Sequence, residues 1–525
     1  FSGGKTDFGG GKLGYLFEVF DHRSDGWQEI GSIAGEPKKD APIAKTDLML
    51  KLSYEFREGD YLEFKAGRTD LDADVSYQGL SKADFLSNPY HRYVGTAQDN
   101  MDSDQQRYYL RYKKDFSDVL AMTTTLYYNE FNRNWYKLAG GNTEFDDADG
   151  AGSDFDVLRG NSLGTYTVKA NNRSYVTKGI QANFDYEMGI HDFDLGFRYQ
   201  DDHYVKNPWS QDTYTVVANT SITNAPSARP AVDPYKDAEA FEAYLVDNVD
   251  LGNLSVSPGL RYTSIEYKYK GGDLRTLDDV LLGIGVGYSV SDNLSFFGGV
   301  HQGHSFPDAE SASGHSSKGL RGIEEALSFE LGARGSASEV FYEVAYFNTG
   351  LENMLVLSSL SGGTANSANI GEASTQGLEV LVGTDFGGDA GFGIPVSLSA
   401  TFTETEFESS TSPTDGYLSG ASKGNEFPFI PDFQINARAG LVFDKTSTYL
   451  NYHYQDQVFA NGDNTRTLGA YGILDWSAFH NLSKGITVFT KVTNLTDEVY
   501  AHSVLPDGYR VGAPRIWSVG LSFDF

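Results

Sequence analysis

Cysteine is absent from all 525 residues. That excludes disulfide scaffolds, Cys-ligated zinc, iron–sulfur clusters and thiol catalysis. Positive charge is scarce: 41 Lys and Arg stand against 72 Asp and Glu, a formal net charge of −31. Such a chain cannot neutralise phosphates on the scale that nucleic-acid binding requires. Long apolar runs are also missing, since no stretch approaches the roughly 18 residues of a membrane helix. There is no His-Glu-x-x-His pair and no Gly-x-Ser-x-Gly elbow. Ser305 follows His304 and lies near His301. Neighbours on a strand point to opposite faces, so this is a poor nucleophile and base. The expectation is a protein that is not an enzyme, with no catalytic residue, cofactor or resident metal. What is abundant is Tyr (33), Phe (34) and Gly (58), with a mean hydropathy of −0.39. A soluble chain this long would divide into about three domains. Two all-β architectures fit: a soluble one, or a membrane barrel in which only every second residue faces lipid.

A two-residue period runs through the chain. Leu120, Met122, Leu126 and Tyr128 oppose Thr123, Thr125 and Asn129, and Leu254, Val256, Leu260 and Tyr262 oppose Ser255, Ser257, Arg261 and Thr263. This is the signature of half-buried strands. Twenty strands are expected, from 12–23 and 43–56 through 119–132, 173–187 and 191–204 to 485–497 and 514–525. Short turns rich in Asp, Asn, Gly and Ser alternate with long loops near 24–42, 75–103, 133–172, 205–235, 305–322, 408–431 and 498–513. Outer-membrane barrels have such alternation, with short turns in the periplasm and long loops outside. The last strand puts Trp517, Val519, Leu521, Phe523 and Phe525 on one face. With Gly520, Phe523 and Phe525, it resembles the C-terminal assembly signal of bacterial outer-membrane proteins. The chain opens Phe1-Ser2-Gly3-Gly4 with no visible signal peptide.

Four segments, in order, resemble one family. They are Tyr77-Gln78-Gly79-Leu80-Ser81-Lys82-Ala83-Asp84-Phe85 with Asn88-Pro89-Tyr90-His91-Arg92-Tyr93; Asp292 to Pro307, which contains His301-Gln302-Gly303-His304-Ser305-Phe306-Pro307; Asn369 to Glu379; and Val492-Thr493-Asn494-Leu495-Thr496-Asp497-Glu498-Val499-Tyr500. They are similar to TonB-dependent outer-membrane receptors, most of all the ferric-dicitrate (siderophore) type, with departures at His304 and Phe306. The resemblance implies a transmembrane antiparallel barrel of 22 strands, a plug, and a coupling segment that binds TonB. Residues 1–525 then read as the barrel portion alone, truncated at the N-terminal side, with about 20 strands present. It further implies active import of a scarce solute, most of all a ferric chelate, with TonB, outer-membrane lipid, lipopolysaccharide and the barrel-assembly machinery as partners. A passive porin, an adhesin, or an importer of cobalamin, haem or oligosaccharide stay open.

The strand phase places Arg107, Arg111, Lys113, Arg261, Lys491, Glu18, Glu63 and His301 on inner faces, where they would contact a plug or a solute. Capture of an anionic chelate needs cationic donors, and Arg suits carboxylate through its planar fork. The candidates are His91 and Arg92 flanked by Tyr90 and Tyr93, then His301 and His304, then Arg510. The competing reading is that Asn88-Pro89-Tyr90 builds a turn and Arg92 pairs with Asp84 or Asp99. Glu144, Asp146, Asp147, Asp149, Asp154 and Asp156 could offer oxygen ligands to calcium. The spacing only partly matches a calcium loop, so a solvated acidic loop is expected.

Overall fold

The computed structural model describes residues 1–33, 35, 37–139, 153–270, 272, 274–312, 321–356, 368–387, 391–411, 418, 420–505 and 507–524. Phe525 and the acidic residues Glu144, Asp146, Asp147 and Asp149 lie outside them. Among the described residues twenty-one long strands run in sequence, each antiparallel to the next, from Ser2–Phe8, Gly11–Ser24 and Ile43–Arg57 to Tyr471–Ser483, Ile486–Thr493 and Ile516–Phe523. The count is one above the sequence expectation. The additional strand is Ser2–Phe8, which makes a seven-residue ladder with Gly11–Phe17 across a Gly9-Gly10 turn whose positive φ angles glycine tolerates. Among the described residues no pairing joins the first strand to the last. No described helix is long and apolar enough to cross a membrane.

Most of the long strands have one apolar, uncovered face. Leu48, Leu126, Leu282, Leu331 and Val519 are all exposed. In water such a band would drive aggregation, whereas lipid covers it. Tyrosines mark its upper edge. Tyr108, Tyr128, Tyr199 and Tyr346 reach with their hydroxyls to Gln106, Glu130, Glu239 and Gln376 at 2.7–3.0 Å. Phe56, Phe116, Tyr186, Phe443 and Phe523 mark the edge at the short turns. Amphipathic rings settle at such levels because one end is apolar and the other wet.

The inner face is polar and cross-linked. Arg107 donates to Asp47 at 2.7 Å and Thr69 at 2.8 Å, and Glu63 gathers Tyr109, Lys51 and Arg111. The largest buried apolar cluster lies outside this wall, in the long loops. Leu80, Tyr93, Leu158, Val458 and Tyr509 from the long loops pack together with Leu138 at the end of a strand. Loops 74–99 and 494–515 are clasped by Leu80 N–H to Tyr509 O at 2.8 Å and the reverse at 2.7 Å. Glycine is needed there. A Cβ on Gly79 would lie 2.4 Å from the Gly508 carbonyl carbon, and Gly508 has φ +74°.

Several strands climb past the membrane edge. The expected strand 119–132 is observed as Leu120–Leu138, and 173–187 as Gly164–Met188, so the loop between them shrinks to 139–163. The loop expected at 205–235 holds the hairpin Trp209–Val217 and Ser221–Ala225, paired to the extension of Gly164–Met188. Backbone pairing continues where the apolar outer row has already ended.

Candidate functional site

Those extensions carry the site. On Leu120–Leu138 the outer row reads Met122, Leu126, Tyr128 and then turns polar at Glu130. Lys137 lies about 23 Å further along the strand, at about 3.3 Å per residue, well outside the apolar band. The inner row there is Arg133, Trp135, Lys137. The next strand contributes Lys169, Arg173 and Tyr175, and His191–Lys206 contributes Tyr204 and Lys206.

The register sets like charges opposite one another: Lys169 against Lys137, Arg173 against Arg133, and Arg173 against Lys206. Directly opposed like charges destabilise a sheet. Among the described residues none of these five cations forms an ion pair, and only the more distant charges of Asp99 on Lys137 and Glu310 on Lys206 offset the repulsion. Aromatic faces take the place of ion-pair partners. Lys137 Nζ lies 2.9 Å from the Tyr77 ring centroid and 4.6 Å from that of Trp135. Lys206 Nζ lies 4.0 Å over Trp209, which Lys169 and Arg229 also approach. Tyr175 stacks on Tyr204 at 4.8 Å. Such contacts contribute roughly 0.5–2 kcal/mol each, less than a buried counter-ion. Two donors of this wall, Trp135 Nε1 and Arg173 Nε, stay without hydrogen-bond partners among the described residues.

The electrostatics follow. Burial, then repulsion from Arg133, Lys169 and Arg173, pushes the Lys137 ammonium down to about 7. Burial and the neighbouring cations push Lys206 down to about 8. Lys169 is lowered by burial and Arg173. Burial works against ionising the Tyr175 phenol, but hydrogen bonds from Arg173 at 3.4 Å and Arg133 at 3.2 Å outweigh it and hold it below the usual tyrosine range. Cations, π-faces and unfilled donors set together in this way can hold a multiply charged anion by charge-assisted hydrogen bonds.

The residues singled out in the sequence fall in three places. Arg92 is 4% exposed and donates to Asp74 O at 2.5 Å and Thr96 O at 3.0 Å. Asp84 is instead taken by Arg159 and Tyr93. His91 Nδ1 donates to Asn88 O at 2.6 Å, and Tyr90 meets Trp27 edge-on. Arg510 donates to the carbonyls of Ser76 and Tyr77 at 2.7 and 3.1 Å. His301 sits on the inner face opposite Gly283, and His304 pairs with Asp279 at 2.9 Å. The structure thus brings Arg510 to Tyr77 at the wall and leaves His301 and His304 on other strands. Gly520 leaves room for the Phe489 ring, and Phe523 faces outward with Trp517, Val519 and Leu521. Asp154 and Asp156 begin the short helix Asp154–Leu158, where Asp156 accepts from Asn161 and Ser162. Sequence reasoning missed Arg133, Trp135, Lys137, Lys169, Arg173, Tyr175 and Lys206. The available signal was cations and aromatics at alternate positions in both flanks of the 133–172 segment.

Comparison with known proteins identifies the fold. The family described as TonB dependent receptor-like, beta-barrel matches residues 47–495. The pesticin receptor of Yersinia enterocolitica is 25% identical over 320 residues, which are 55% of this chain and 43% of that protein. The pesticin receptor of Yersinia pestis matches to the same extent. The chain therefore matches less than half the length of these curated relatives. The fold superposes on the ferric citrate transporter FecA in its unliganded form with a TM-score of 0.72 at 18% identity, over 99% of this chain and 74% of that one. It superposes on the siderophore receptor PiuA of Acinetobacter baumannii with a TM-score of 0.74 at 17% identity, over 99% and 78%. With its length matched from the third long strand to the end of the twentieth, the chain belongs to the TonB-dependent receptor-like β-barrel family.

Proposed function

We propose that the chain is the barrel of an outer-membrane receptor that captures an anionic ferric chelate at its mouth and imports it to the periplasm with energy from TonB. The observation that carries this is the cross-strand row of like charges, Lys137–Lys169, Arg133–Arg173 and Arg173–Lys206, unneutralised in a chain of net charge −31. In this reading an external anion completes the row. Ferric citrate is the proposed form, supported by the resemblance to the ferric-dicitrate type and by the fold shared with a ferric citrate transporter. In this reading Arg92 and Arg510 hold the loop that carries Tyr77, and His301 stays a candidate for direct contact lower in the lumen. Lipid covers the apolar band, lipopolysaccharide surrounds the outer rim, and the barrel-assembly machinery reads the last strand.

The test is uptake of radiolabelled ferric citrate by cells whose only receptor is this protein, with and without TonB. Accumulation in the strain with TonB that is lost in the strain without it is expected. Accumulation that persists without TonB would instead favour a passive porin, and none in either strain would remove ferric citrate as the solute.

A further inference from the structure

One carboxylate stands behind the cation row. Asp99, at the end of loop 74–99, is 1% exposed. It accepts hydrogen bonds from Ser76 Oγ at 2.6 Å and from the Leu138 backbone N–H at 3.0 Å. It therefore ties the loop to the top of the strand that bears Arg133, Trp135 and Lys137. Ser76 precedes Tyr77, the ring that lies over Lys137 Nζ and meets Trp135 edge-on at 4.8 Å. Arg510 grips the carbonyls of the same two residues from the last loop. Tyr77 is held between a carboxylate of its own loop and a guanidinium of another.

We propose that Asp99 is a positioning residue of the anion site: through Ser76 it holds Tyr77 over Lys137, and it couples the charge of the cation row to the loops that roof the mouth. The inference rests on reading the wall as an anion site. A carboxylate buried this deeply is costly unless donors and cations hold it. Burial pushes its acid up to about 7, against the Ser76 hydrogen bond, the charge of Arg92, the Leu138 N–H and the charge of Lys137. The groups facing it are Ser76 and Arg92 from the loop, with Asp74 behind Arg92, Lys137 and the Leu138 N–H from one strand, and Tyr166 from the next. Lys137 in turn feels Asp99 as the influence opposing burial and repulsion from Arg133, Lys169 and Arg173. Protonation of Asp99 would weaken the anchor of Ser76 and remove the charge that favours a charged Lys137, in one event near neutral pH.

Trp135 reports on this directly, because its ring touches both Tyr77 and Lys137. Its emission is isolated by subtracting the Trp135→Phe spectrum, using protein in detergent micelles without chelate. The wild type should show an emission change with a midpoint near neutral pH. Asp99→Asn keeps volume and an acceptor but loses the charge, so the midpoint should move at least one pH unit lower. Ser76→Ala leaves both charges in place. Its midpoint should move upward, because Asp99 loses the hydrogen bond that holds its acid down, while its emission maximum shifts and its ferric citrate affinity falls about tenfold. A wild-type midpoint in Asp99→Asn would overturn the proposal. So would wild-type emission and affinity in Ser76→Ala, which decides the matter even if Asp99→Asn fails to fold. A wild type that binds no ferric citrate would overturn the anion reading with that probe, and the fluorescence arm, run without chelate, still decides the role of Asp99.

Discussion

Position 137 puts a lysine where only 6% of it reaches solvent, opposite another lysine and with no carboxylate in ion-pair range among the described residues. Replacing it with methionine keeps the shape and removes the charge. The repulsion across the Lys137–Lys169 pair disappears, so Lys137→Met should be more stable in thermal unfolding by about 0.5–1 kcal/mol. The same change should weaken ferric citrate binding by about 1.5–3 kcal/mol, roughly ten- to a hundredfold. A variant that loses stability and keeps affinity would contradict the assignment. The pH dependence has a definite sign. Lys137 and Lys206 titrate at about 7 and about 8 when folded, below the ordinary lysine value near 10.4. The unfolded chain therefore binds more protons between these limits, and the unliganded protein should gain stability as pH rises from 7 to 10. Anion affinity should move the other way, falling between pH 7 and 9 as the ammonium charges are lost. Titration calorimetry across that range checks it, and flat affinity would count against these two lysines.

At the level of strands, alternation was readable wherever one face meets lipid. Leu120, Met122, Leu126 and Tyr128 announced their strand because water and hydrocarbon lie on its two sides. Beyond Glu130 both faces are polar, the contrast vanishes, and the sequence reads as a loop although the hydrogen-bond ladder continues to Leu138. The site stands on that hidden extension, which is why Arg133, Trp135 and Lys137 went unnoticed while the barrel was plain. His91, Arg92 and Arg510 drew notice as cations in loops. That Arg92 would spend its donors on backbone carbonyls depends on how the loops pack, which one sequence does not reveal. The lipid-facing assignment has its own test. Leu282 is 58% exposed on the outer face, so Leu282→Arg should cost about 2–4 kcal/mol in folding into vesicles. Ser399→Arg, on an inner row, should cost much less. Equal costs would contradict the phase of the strands.

For the whole molecule, the wall and the mouth are stabilised by different means. The barrel has little dry interior. It is held by ladders, by ion pairs such as Arg107–Asp47, and by lipid around the apolar band. The mouth has an apolar core of its own, made from loops that meet at the Leu80–Tyr509 clasp. Near that roof five cations without ion pairs among the described residues stand close together, and in the proposed reading they draw an anionic chelate to an otherwise acidic molecule. The most direct test of this account is to locate iron. Crystals of the protein soaked with ferric citrate, measured at the iron absorption edge, should show an anomalous peak beside Arg133, Lys137, Arg173 and Tyr175, and Lys137→Met/Arg173→Gln crystals should lose it. A peak elsewhere in the lumen, or one that persists in the double variant, would contradict the central claim.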